Sequence, residues 1–265
     1  MTRISGEMIL RTPCCGSLIR APRYASLNFM AWEYWTDGYA DHGLAPQTQG
    51  LRMCVCGKAY LMQTTTKVAD LPAIAAKPKP VSVRTNWLSR LFTWTWPAKA
   101  STPEDALDSE QPNKEQELAR TQHERFKDVP SHDFVMPDQL PIVLTTPGYS
   151  DDLQEAARRL YWWFLNMPHR DYFRAFREEH RSEWPTFTPS VEQQNNMQAL
   201  LALLKREGRQ PYLEIAELHR ELGEFELAHQ ALQRHASPED SRAKAVAHLI
   251  ELKLTTPARY RLQHQ

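Results

Sequence analysis

Two short stretches decide how this chain is read: Arg11-Thr12-Pro13-Cys14-Cys15-Gly16-Ser17-Leu18 and Arg52-Met53-Cys54-Val55-Cys56-Gly57-Lys58-Ala59. They contain all four cysteines of the 265 residues, and a glycine follows each pair at once. Glycine readily adopts the left-handed backbone that turns a chain back on itself, which lets two sulfur pairs converge on one ion. Metal ligation, disulfide formation and ordinary burial compete for such thiols. The opening residues MTRISGEMILRTP hold no apolar signal core, and no stretch reaches the roughly 20 apolar residues of a membrane span. The expected setting is therefore a reducing cytoplasm, where paired cysteines favour metal. Four thiolates leave no open position, so the expected Zn2+ would be structural.

Both pairs depart from the usual Cys-X-X-Cys-Gly turn. Aligned on Gly16 and Gly57, Thr12 and Met53 stand where the first cysteine belongs, and Cys14 and Cys54 supply the missing thiols one or two residues later. A Cys-X-Cys pair chelates easily, whereas adjacent cysteines need a strained backbone to aim at one point. Cys14 is thus the weakest of the four expected ligands, with His42 or Asp41 as substitutes.

Between the pairs, NFMAWEYWTDGYADHGLAP alternates in polarity, and Asp37-Gly38 marks a tight hairpin turn. A small antiparallel sheet is expected, with Trp32, Tyr34, Trp35 and Tyr39 as an aromatic face that either covers the sheet or stacks on nucleic-acid bases. In such a ribbon a metal would replace the core that some 60 residues hardly build alone. The run from Thr12 to Gly16, through Asn28 and Trp35-Thr36-Asp37-Gly38, to Cys54-Val55-Cys56-Gly57 resembles the zinc-ribbon-like N-terminus of uncharacterised bacterial proteins with a helical C-terminal half. That resemblance covers about the first 60 residues; it implies a bacterial origin and a metal, and nothing about a substrate.

Beyond Gln63 the composition turns rich in proline and charge, so 64–117 is expected to be a flexible linker. Within it, 86–96 carries Trp87, Leu88, Leu91, Phe92, Trp94 and Trp96. This island either folds onto a domain or docks a partner or a membrane surface, with Trp87, Phe92 and Trp94 as its anchors. An extended connector is expected over 118–149 and a helical domain over 150–258. Ser150 ahead of Asp151 and Asp152 starts one helix, which Pro168 closes. Ser190 with Gln193 forms a capping box, and Ser237-Pro238 starts the last helix. Tyr212, Ala216, Gly223, Phe225, Ala228 and Leu232 resemble one tetratricopeptide unit, which implies a helical hairpin with small residues at the crossing.

Signs of enzymatic chemistry are few. Nine glycines contain no Gly-X-Gly pair, and neither His-Glu-X-X-His nor a Gly-X-Ser-X-Gly elbow occurs. His180 and Glu183 lie three apart, as chance provides among ten histidines. Net charge is zero, yet residues 1–100 hold 12 Lys and Arg against 5 Asp and Glu, and the remainder reverses that excess. The basic half is dispersed beyond Arg20 with Arg23 and Lys77 with Lys79. The expectation is an α+β chain: a small zinc-ribbon-like module over 1–63 and a separate helical domain, acting as a cytoplasmic adaptor for another protein rather than as an enzyme. The alternative is a zinc ribbon that binds nucleic acid, with the helices as an accessory.

Overall fold

The computed structural model describes residues 3–26, 31–41, 50–73, 114–175, 187–206, 211–235, 237 and 239–261. Its antiparallel sheets lie N-terminal and its helices C-terminal, as expected of an α+β chain. In the first sheet, β1 (Arg3–Arg11) lies between β2 (Leu18–Ser26) and β7 (Thr66–Pro72). The two-residue alternation of β1 separates its neighbours cleanly. Ile9 packs with Leu71 and Phe126, whereas Leu10 packs with Ile19, Ala21, Cys54 and Tyr60 on the other cluster. Gly6 sits at a bulge of β1, where a side-chain carbon would stand 2.3 Å from the carbonyl of Leu71, so only glycine fits.

Two smaller sheets follow. In one, β3 (Glu33–Trp35) pairs with β4 (Ala40–Asp41); in the other, β5 (Leu51–Met53) pairs with β6 (Ala59–Leu61). Each takes its third strand from far along the chain. β8 (Asp133–Phe134) pairs with β5, and β9 (Arg259–Tyr260) pairs with β3. The expected Asp37-Gly38 turn is present: Gly38 has φ 82° and its N–H donates to the Trp35 carbonyl at 2.9 Å. The expected aromatic face divides. Trp32 is 84% exposed, but Trp35 is 1% exposed and, with Tyr39, packs against the helices, with ring centroids 5.8 Å from Phe173 and 5.9 Å from Trp163 respectively.

β7 and the start of α1 (Lys114–Arg125) fall within 64–117, where a flexible linker was expected, and over 118–149, where an extended connector was expected, the chain forms the rest of α1, β8 and α2 (Leu140–Thr145). α1 escapes a periodicity search because its side chains are nearly all polar; Ala119 is its one buried residue among those described. Then come α3 (Asp151–Leu165), α4 (Met167–Ala175), α5 (Val191–Leu204), α6 (Tyr212–Glu221), α7 (Phe225–Gln233) and α8 (Ser241–Glu251). Ser150 caps α3, accepting from the Leu153 N–H, and Ser190 with Gln193 completes the capping box of α5. Two expected boundaries move. α3 ends at Leu165, and Pro168 sits in the first turn of α4, where its missing N–H costs nothing. α8 starts at Ser241 rather than after Ser237, because the Asp240 carboxylate accepts from the N–H groups of Arg242 and Ala243.

α6 and α7 form the expected hairpin, with Gly223 at φ 80° in the turn and Ala216 and Ala228 fully buried. Their core joins Trp162 of α3, Met197, Leu200 and Leu204 of α5, and Val246 and Ile250 of α8. A second core is shared by strands and helices: Leu51, Ala59 and Leu61 pack with Val135, Leu140, Val143, Leu153, Ala156 and Ala157. No helix among the described residues is long and apolar enough to cross a membrane.

Candidate metal centre

The four cysteine sulfurs lie within 4.8 Å of one another, and none is in a disulfide. A tetrahedral ion with metal–sulfur bonds of about 2.3 Å needs sulfurs about 3.8 Å apart. Two approaches between the loops, 3.4 Å from Cys15 to Cys54 and 3.5 Å from Cys14 to Cys56, need only a small expansion. The four residues expected as ligands are therefore brought together. Cys14 takes its place without a substitute, while Asp41 is held by Arg174 at 3.1 Å and His42 lies outside the described residues.

Two strand-joining loops position the thiols. In the first, between β1 and β2, the Thr12 N–H donates to the Ser17 carbonyl at 2.9 Å and the Gly16 N–H to the Thr12 carbonyl at 3.1 Å. In the second, between β5 and β6, the Cys54 N–H donates to the Lys58 carbonyl at 2.9 Å and the Gly57 N–H to the Cys54 carbonyl at 2.8 Å. Gly16 and Gly57 adopt the same left-handed turn, with φ 76° and 79°. The closing bonds show that the second loop is one residue shorter.

That difference explains the irregular spacing. Matched on their hydrogen bonds, Thr12 corresponds to Cys54 and Cys15 to Cys56. Thr12 does stand in the place of a first cysteine; Met53 does not, since Cys54 itself occupies that position. Thr12 and Cys54 are 2% and 3% exposed, whereas Cys15 and Cys56 face solvent. The extra residue of the first loop, Cys14, supplies the thiol that Thr12 lacks. No residue of either loop except the glycines has a positive φ, so the adjacent cysteines reach the cluster without the strain expected of them.

The Thr12 hydroxyl, which donates to the Ser17 carbonyl at 3.2 Å, accepts from the Cys54 thiol at 3.7 Å and lies 3.6 Å from the Cys15 sulfur. Burial, reinforced by hydrogen bonds with Cys54 and Cys56, pushes the Cys14 thiol up to about 12. The Ser17 hydroxyl, 3.1 Å from the Cys15 sulfur, and then the Ser17 backbone bring Cys15 down to about 6. Tyr60 closes the inner side; burial first and the Cys54 thiol second push its phenol up to about 12.

A second cluster of polar side chains went unseen in the sequence. Asp37, Arg170, Glu217, Arg220 and Glu221 are fully or almost fully buried. Arg170 pairs with Asp37, which also accepts from the Asn166 amide and from the Tyr39 backbone N–H, each at 3.1 Å. Asn166 also donates to Glu221 at 3.1 Å, as does the Trp162 indole at 2.7 Å, and Arg220 forks onto Glu217 at 2.7 and 2.8 Å. Burial raises Glu221 well above the usual carboxylate range, and the charges of Glu217 and Asp37 push it further. The only local signal was Asp37, which reads as an ordinary turn residue. Trp87, Phe92, Trp94, His180 and Glu183 lie outside the described residues. Comparison with protein-family models, with curated proteins and with solved structures gave no match.

Proposed function

We propose that Cys14, Cys15, Cys54 and Cys56 hold one structural Zn2+ and that the chain is a cytoplasmic adaptor which binds another protein. The carrying observation is the convergence of four sulfurs from two loops. Bound through all four, a tetrahedral ion keeps no position for water or substrate, so it serves architecture rather than catalysis. The α6–α7 hairpin, with alanines at its crossing, supports a tetratricopeptide-like unit flanked by α5 and α8.

The nucleic-acid alternative loses part of its basis. Arg20 donates to the Phe126 carbonyl at 2.6 Å and pairs with Glu7 at 3.4 Å, while Arg23 is bound to Ser5 at 3.1 Å and Asp70 at 3.7 Å. Arginines held this way are poorly placed to follow a phosphate backbone.

Elemental analysis of protein purified without chelators tests the metal; about one zinc per chain is expected, and a metal-free chain with four titratable thiols would refute it. For the partner, capture from a bacterial host should be compared with the triple variant Trp87→Ala, Phe92→Ala, Trp94→Ala. Loss of a captured protein with unchanged zinc content is expected. Capture of nucleic acid that weakens steeply with salt would replace the adaptor reading with the alternative.

A further inference from the structure

Two sulfur contacts run between the loops, from Cys15 to Cys54 at 3.4 Å and from Cys14 to Cys56 at 3.5 Å, and Cys14 also interacts across the loops with Cys54. Each of the two contacts joins an exposed sulfur to a more sheltered one: Cys15 to buried Cys54, and Cys56 to half-buried Cys14. An exposed thiolate beside a sheltered partner is the layout of an attacked sulfur and its resolving thiol. Peroxide reaches the outer sulfur, and the inner one then displaces the oxygen.

We propose that the cluster is a redox-exchangeable joint: hydrogen peroxide converts the two inter-loop contacts into Cys15–Cys54 and Cys14–Cys56 disulfides, the ion is lost, and the loops stay tied. The proposal rests on the metal reading above. In each pair one thiolate attacks peroxide, breaking the O–O bond, to give a sulfenic acid and hydroxide. The second thiolate then attacks that sulfur and expels another hydroxide as the S–S bond forms. Per pair, two thiolates and one peroxide become one disulfide and two hydroxides, so the thiolates are oxidised and peroxide oxygen is reduced. The sulfur electron pairs that held the ion are thereby withdrawn. Because both new bonds cross from the β1–β2 loop to the β5–β6 loop, the connection made by the ion is kept.

The test oxidises the zinc-loaded full chain with about two equivalents of hydrogen peroxide. A chromophoric chelator follows the zinc, and non-reducing tryptic digestion reads the pairing. Cleavage after Arg11, Arg20, Arg52 and Lys58 separates TPCCGSLIR from MCVCGK. Expected are release of about one zinc per chain and a single species in which the two peptides are linked, reverting on reduction. In Cys14→Ser, the remaining linkage should be Cys15–Cys54, with Cys56 open to alkylation. Separate peptides with internal disulfides, sulfinic acids in place of disulfides, or zinc retained after oxidation would each overturn the proposal. Zinc content before oxidant is added reports on the metal reading by itself: a loaded chain with the wrong peptides refutes only the exchange, whereas a chain that never carries zinc refutes the metal reading.

Discussion

The sulfur cluster ties the β1–β2 loop to the β5–β6 loop with four donors of one kind, whereas the cluster around Asp37 ties the β3–β4 turn to α3, α4 and α6 with carboxyl groups set against guanidiniums. Four thiolates repel one another and cohere only around an added cation. Three carboxyl groups are set against two guanidiniums, and burial, with the charges of Glu217 and Asp37, favours the neutral form of Glu221. The first joint faces solvent on two of its sulfurs, whereas the charged side chains of the second are shut off from it. On the metal reading proposed above, only the first would depend on what the surroundings supply.

The sharpest way to break this contrast is to delete one ligand. Cys56→Ser should abolish bound metal, since a structural zinc site draws about 10–16 kcal/mol of apparent binding energy from its complete ligand set. Metal content by elemental analysis and near-ultraviolet circular dichroism of the strand region report it. Full metal content in this variant would remove Cys56 from the site.

Next in size is Asp37→Ala. It strands Arg170 without its carboxylate in a fully buried place, and losing one member of such a pair costs about 3–5 kcal/mol. Urea unfolding measures the loss, which should appear with metal content unchanged. A loss below about 1 kcal/mol would show that water reaches the cluster, and the contrast between a dry and an open joint would fail.

The smallest effect concerns the proton on Glu221. A carboxyl whose folded value is raised adds stability that is fully present below its unfolded value, near 4.5, and is lost as pH rises through the folded value. Glu221→Gln keeps an acceptor for the Trp162 indole and carries no titrating group. Its stability relative to the original chain should therefore climb as pH rises above about 4.5. A difference that stays flat with pH would mean that Glu221 is not the proton carrier.

Much of this was legible in local sequence and some was not, for identifiable reasons. The caps at Ser150 and Ser190 depend on side chains three residues apart and could be read directly. The clustering of the four cysteines was also readable, because two thiol pairs each followed by a glycine imply two turns that converge. The position of Met53 was misread, since glycine-based alignment presumes loops of equal length and the hydrogen bonds that set that length are not written in residue types. The burial of Asp37 was invisible for a different reason. Its partners Asn166 and Arg170 lie far along the chain, and nothing local distinguishes a turn aspartate that faces water from one that meets a guanidinium. Strands of two residues such as β8 and β9 carry no periodicity at all; their partners make them strands.

The pairing of Tyr34 with Tyr260 and of Trp35 with Arg259 has a consequence in time. A ribosome adds roughly 5–20 residues each second. The edge of β3 thus emerges roughly 10–45 s before the strand that covers it, and through that interval the backbone groups of β3 on that side face water or any other extended chain nearby. Trp35, buried in the finished protein, must wait roughly three-fifths as long, because its neighbours Arg170 and Phe173 also come from a later helix. The β3–β4 hairpin is therefore among the first segments synthesised and among the last to be completed, a vulnerability built into the order in which the chain appears.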